Sequence, residues 1–118
     1  MLDKKLPKKF KKLWVKALKS GDFAQGSGAL CTIKENQENQ SKTYCCLGVA
    51  CSVAGVSDEL LYGGDYIQKV HYKQSKKQGT KIPKMLVGDN DLTALLAQMN
   101  DEDHKSFRKI AKWIKKTL

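Results

Sequence analysis

Arginine is nearly missing from this chain. Of its 22 basic residues, only Arg108 is arginine and the others are lysine. Bidentate reading of guanine or of a phosphate relies on the planar guanidinium fork, so the composition argues against a sequence-specific DNA reader. Lysine supplies a point charge, which suits non-specific phosphate contact or one well-placed ammonium in a pocket. Proline is scarce too, with two residues, and 41% of the chain is apolar, which excludes a disordered polypeptide. No apolar run reaches the roughly 18 residues of a membrane span. The stretch MLDKKLPKKFKK contains no apolar core of the secretory-signal kind and no lipidation pattern, so the expectation is a cytoplasmic protein with reduced thiols and no membrane partner.

Catalytic signatures are absent as well. The chain has no phosphate-binding G-x-x-x-x-G-K-[ST], no H-E-x-x-H, no G-x-S-x-G and no dinucleotide fingerprint. The four cysteines do not offer metal spacing. Cys45 and Cys46 are adjacent, Cys51 lies five residues on, Cys31 stands alone, and His71 and His104 are remote in sequence. A nucleophilic cysteine needs a base and a setting that stabilises thiolate, whereas the segment YCCLGVAC is apolar and would raise the thiol pKa. These cysteines read as small core hydrophobes. No catalytic residue, metal or cofactor is expected. Asp89–Asp91 and Asp101–Asp103 are explained by helix capping, and His104 by chance exposure.

What is present is charge, unevenly placed. The formal net charge is +10. Residues 1–19 hold eight lysines and one aspartate, residues 105–118 hold five lysines, Arg108 and no acid, and the middle holds eight lysines against eleven acids. Two basic ends around an acidic body point to an anionic partner, or to no more than a well-solvated surface.

The 118 residues suit one domain. Pro7 suits the first position of an amphipathic helix carrying Phe10, Leu13, Trp14, Ala17 and Leu18, closed by Gly21. Ala29 to Ile33 reads as a strand, KENQENQSK as a polar loop, and Thr43–Tyr44 as the start of a return strand. Cys45 to Ala54 reads as a short buried helix ending at Gly55. Gly63–Gly64 signals a turn, and Gln68, Val70 and Tyr72 alternate with polar neighbours as in a half-exposed strand. A short turn or helix follows Pro83 and ends at Gly88. Two more helices follow: one capped from Asp89–Asp91 with Leu92, Leu95, Leu96 and Met99 as its stripe, and one with Phe107, Ile110, Ala111 and Ile114, and Trp113 beside them. The expected fold is α+β, with three or four short helices packed on a small antiparallel sheet in a single domain spanning 1–118.

The best ligand-loop candidate is Gln25, Gly26, Ser27 and Gly28, whose glycines let backbone N–H groups approach an anion. An ordinary helix-to-strand connection explains the same residues. Tyr44, Asn100 and Asp101 are placed with them as pocket residues. Lys16, Lys19, Arg108 and Lys112 are the expected electrostatic contributors.

Three stretches together, LWVKALKSGDFAQGSGAL, YCCLGVAC and LLAQMNDEDHKSFRKIAKWI, resemble a recurrent class of small phage-encoded proteins of unassigned function. The shared pattern is a Trp helix ending in Ala-Leu-x-Ser-Gly with a following Gln, then Cys-Cys-Leu-Gly-Val, then Leu-Ala-x-x-Asn-Asp before a Phe-x-x-Ile-Ala helix. Matching positions are Trp14, Ala17, Leu18, Ser20, Gly21 and Gln25; Cys45 to Val49 and Cys51; Ala97, Asn100 and Asp101; and Phe107, Ile110 and Ala111. The lysine-rich ends depart from that class. The resemblance implies a phage accessory protein acting in the host cytoplasm. Such proteins manage host defences, some of them by holding nucleotide immune signals.

The leading expectation is therefore a non-enzymatic counter-defence protein that sequesters an anionic small ligand such as a cyclic nucleotide. The alternatives are a lysine-driven nucleic-acid binder and an inhibitor docking on an acidic host protein. Assembly into a homo-oligomer stays open.

Overall fold

Pro7 holds an extended conformation, with ψ 133°, and the first helix, α1 (Lys8–Ser20), starts at the next residue. Proline thus flanks the helix from the cap position, one residue before the expected place. The computed structural model describes residues 6–26, 29–35, 40–56, 61 and 82–118. Along α1, Trp14 and Leu18 are buried, with Phe10 and Ala17 packed beside them, as the apolar spacing requires. Leu13, at the margin of that stripe, is 48% exposed. Gly21 then takes φ 81°, the left-handed conformation that ends a helix cleanly and that a side chain would oppose.

The chain next forms an antiparallel pair, β1 (Cys31–Glu35) and β2 (Gln40–Tyr44), with Cys31 opposite Tyr44 and Glu35 opposite Gln40. The ladder is displaced from the expected strand and consumes both ends of the expected polar loop. The ladder pairs through backbone groups, so polar residues take part in it and the apolar pattern understates strand length. Before the hairpin, the segment at Gln25 runs parallel to β2: Tyr44 N donates to Ala24 O and Gly26 N donates to Tyr44 O, both at 2.8 Å. Phe23 meets the Tyr44 ring edge-on, 5.0 Å between centroids.

The small-residue segment is a buried helix, α2 (Cys46–Val53), in which Cys46 to Cys51 are all buried. Cys45 caps it, its Sγ accepting from Gly48 N at 3.4 Å. Gly48 is required by packing, because a Cβ there would collide with the carbonyl oxygen of Leu30. Trp14 Nε1 donates to Cys46 O at 3.0 Å, which pins α1 to the start of α2. The Cys-Cys-Leu-Gly run is thus a cap, a buried thiol, a core leucine and a contact surface for the backbone ahead of β1.

Three helices complete the described residues: α3 (Lys84–Gly88), α4 (Asn90–Asp101) and α5 (Phe107–Thr117). Asp89 Oδ1 accepts from Leu92 N at 2.9 Å and Ser106 Oγ accepts from Lys109 N at 3.3 Å, the side-chain caps that start α4 and α5. Leu92, Leu96 and Met99 are the buried line of α4, whereas Leu95 is 40% exposed: the stripe is narrower than the sequence suggested. Phe107, Ile110, Ala111 and Ile114 are buried on α5 as expected. Trp113 is half-buried against the core. α1 packs against α5 and α2, and α2 against α4. Leu6 N donates to Leu118 O at 3.3 Å, so the start of α1 lies beside the end of α5. The architecture is α+β: among the described residues, the named elements are four helices of eight residues or more, one short helix and a two-stranded antiparallel sheet. The expected turn at Gly63–Gly64 and the strand through Gln68, Val70 and Tyr72 lie outside the described residues.

Candidate functional site

Two polar regions stand out, and they differ in kind. The first is the junction where Gln25 meets the end of α4. Asn100 is 3% exposed, and both ends of its amide are engaged. Its Oδ1 accepts from Gln25 Nε2 at 3.0 Å and from Cys46 N at 3.2 Å. Its Nδ2 donates to Gly26 O and to Asp101 Oδ1, both at 2.7 Å. Gln25 is equally committed. Its Nε2 also donates to Lys105 O at 2.7 Å, and its Oε1 accepts from Phe107 N at 3.1 Å. Two amides thereby tie the segment before β1, the start of α2, the end of α4 and the start of α5.

Four of the expected ligand residues, Gln25, Gly26, Asn100 and Asp101, therefore do come together, with the Tyr44 backbone alongside. What they recognise is one another. The side-chain amides of Gln25 and Asn100 spend all their donors and at least one acceptor position on the chain itself. The Tyr44 ring is buried. Ser27 and Gly28 lie outside the described residues.

The second region is a groove along the seam of α1 and α5. Lys8, Lys11, Lys12 and Lys16 from α1 and Lys115 from α5 line it together with Val15, around a cavity of about 630 Å³. Lys8, Lys12 and Lys16 repeat every fourth residue, so they stack on one helix face over about 12 Å. None of the five ammonium groups has an ion-pair or hydrogen-bond partner among the described residues. The first turn of α1 holds no acid either, so lysines sit where the helix dipole already presents positive charge. This concentration opposes folding by self-repulsion and would be relieved by an anion. The lysine stems and Val15 form apolar walls below the charges.

Of the expected electrostatic residues, Lys16 lines the groove. Lys19, Arg108 and Lys112 are exposed and are not among its lining residues. Lys8, Lys11, Lys12 and Lys115 join Lys16 in the structure without being among the expected electrostatic residues. The four-residue lysine repeat was visible in the sequence; the arrival of Lys115 from the far end of the chain was not.

The cysteines are all free and buried. Burial pushes the Cys45 thiol up to about 11 and raises Cys46 and Cys51 well above the ordinary value, with desolvation the main cause in each. Thiolate chemistry is thus disfavoured at Cys45, Cys46 and Cys51 near neutral pH. Among the described residues, no three histidine, cysteine or acidic side chains are grouped to hold a metal, and no helix is long and apolar enough to cross a membrane.

Residues 6–88 match the family described as a domain of unknown function (DUF8296), and the chain belongs to that family. The matched span includes α1 with its lysine row, the hairpin and α2; Asn100, Phe107 and Lys115 lie beyond it. No curated protein and no solved structure matches the chain.

Proposed function

We propose that this protein is a non-enzymatic binder of an anionic small ligand, and that the ligand sits in the lysine groove between α1 and α5. The observation that carries this reading is the convergence of Lys8, Lys11, Lys12, Lys16 and Lys115 on one cavity with no carboxylate partner among the described residues. A cavity of about 630 Å³ falls in the ordinary range for small-molecule sites. Uncompensated like charge on one face costs stability, and an anion bound there recovers it.

The biological setting is proposed from the sequence resemblance. It is a phage accessory protein in the host cytoplasm that withdraws an anionic defence signal, of the nucleotide class, by holding it. Sequestration needs affinity and no chemistry, which agrees with raised thiol pKa values at Cys45, Cys46 and Cys51.

A thermal-shift panel of linear and cyclic nucleotides, with a short DNA duplex at low and moderate salt, tests the reading. A bound ligand at one hundred times its Kd adds about 2.7 kcal/mol, or roughly 10 °C in a domain of this size. A shift from a small anion that survives moderate salt supports sequestration. A shift from duplex alone that vanishes as salt rises transfers the function to nucleic-acid binding through the lysine faces. Silence from every anion removes the proposal and favours a protein partner.

A further inference from the structure

The groove's chemistry narrows the ligand class, and this step rests on the reading just given. We infer that the α1–α5 groove recognises a dense array of phosphates, three or more within the length of the lysine row, and not a nucleobase.

The charge balance comes first. Five lysines face one cavity and have no acidic partner among the described residues. A phosphate monoester group carries about two negative charges near neutral pH, so matching five ammonium groups takes on the order of three phosphates. A cyclic nucleotide offers a single charge per phosphodiester and leaves most of the site unbalanced. Geometry agrees. The lysines of α1 are spread over about 12 Å of helix axis, with Lys115 facing them from α5, so the positive charge is extended and not focused on one point.

The groove's described lining residues are not suited to reading a base. Stacking on aromatic rings contributes about 1–3 kcal/mol per base, and base edges are read by amides, carboxylates or backbone groups at fixed geometry. The groove is lined by five lysines and Val15, with no aromatic, amide or guanidinium group among its described lining residues. Trp14 is buried with its indole N–H spent on Cys46 O, and the amides of Gln25 and Asn100 are spent on the junction. Lysine ammonium groups attract phosphate without imposing the directional fork of arginine. Such a site counts negative charge and is indifferent to what carries it. A linear polyphosphate, a nucleoside triphosphate or a polyphosphorylated ring presents the same chemistry.

The test uses the full chain in thermal shift and titration calorimetry at about physiological salt. The probes are sodium tripolyphosphate, ATP, GTP, AMP, 3′,5′-cyclic AMP and a short DNA duplex. Tripolyphosphate, ATP and GTP are expected to bind with similar affinity, and AMP and cyclic AMP to bind about tenfold or more weakly. The double variant Lys12→Glu/Lys16→Glu should lose tripolyphosphate binding by about tenfold or more while its ligand-free Tm does not fall. Lys109→Glu/Lys112→Glu, an equal charge reversal on two exposed residues that do not line the groove, should bind as the parent does. Binding of cyclic AMP or AMP with tripolyphosphate silent would overturn the phosphate-array inference and leave the small-anion reading standing. So would strong preference between ATP and GTP. Binding of duplex alone, or of nothing, would overturn both. Equal loss in the two double variants would show general charge attraction and overturn the assignment to this groove.

Discussion

The junction at Asn100 and the groove at Lys12 are both polar, both built from segments far apart in sequence, and opposite in their use of hydrogen-bonding capacity. At the junction, donors and acceptors find one another: Asn100 makes four contacts and Gln25 three. In the groove, five lysine side chains find none among the described residues. A polar group that is internally satisfied is holding the fold together, because leaving it unmade would cost more than making it yields. A charge left unpaired beside like charges lowers stability and is retained at a cost that a ligand can offset. The loop richest in ligand-like residues thus acts as a clasp, and a row of lysines that resembles a solvated helix face is the candidate site.

Removing the clasp at its centre should have the largest effect. Asn100→Leu strands Cys46 N and Gly26 O and removes one of the three partners of the Gln25 amide, and a buried unmade hydrogen bond costs about 1–3 kcal/mol. A loss of about 3 kcal/mol or more is expected in urea denaturation. Anion binding measured well below the new Tm should be retained. Gln25→Ala is the sharper version, because Gln25 is more exposed and its partners can take up water. About 2 kcal/mol should be lost, with tripolyphosphate affinity unchanged. If Gln25→Ala kept its stability and lost anion binding, the roles of the two regions would be reversed.

The buried thiols give a prediction intermediate in size. A folded thiol pKa of about 11 for Cys45, against the ordinary 9.0, means that the unfolded chain releases its proton first as pH rises. Below pH 9.0 both states are protonated and the thiol adds no pH dependence. Above it the unfolded state binds fewer protons, so stability falls with increasing pH. The slope should reach on the order of 1 kcal/mol per pH unit for each such thiol, and Cys46 and Cys51 act in the same direction. Denaturation midpoints from pH 8 to 10 check the sign; a rising midpoint would contradict thiol burial.

The smallest expected change lies in the groove without ligand. Lys12 has like charges four residues away on either side, at Lys8 and Lys16. Replacing it with glutamine should raise stability by about 0.5 kcal/mol at low salt, and the gain should shrink as salt is added. A loss instead would show that Lys12 has a structural partner and would erase the contrast with the junction.

Much of the fold was legible because it depends on local chemistry. Phe10, Trp14 and Leu18 at helical spacing, Gly21 after the last turn, Asp89 as a cap, and Phe107, Ile110 and Ile114 on one stripe all carry their meaning within a few residues. The hairpin was less legible. Lys34, Glu35 and Gln40 to Lys42 look like loop, and they pair only because the partner strand is there to bond them. The buried character of Cys45 to Cys51 was readable from composition, but the need for glycine at Gly48 was not, since it arises from the Leu30 backbone. At the junction, Gln25, Asn100 and Asp101 read in the sequence as ligand residues, and in the structure they bond within the chain. Their purpose depends on a partner 75 residues away in the chain, which no local pattern encodes.

By itself, then, the sequence determined the α+β class, the apolar stripes, the burial of the cysteines and the excess of lysine at both ends. These follow from periodicity, capping chemistry and composition. Tertiary structure alone decided which polar residues are spent and which remain available. Hydrogen-bond satisfaction and charge convergence belong to pairs of segments. Only packing α1 against α5 brings Lys115 to the lysine row, and only packing α4 against α2 turns Asn100 into a clasp.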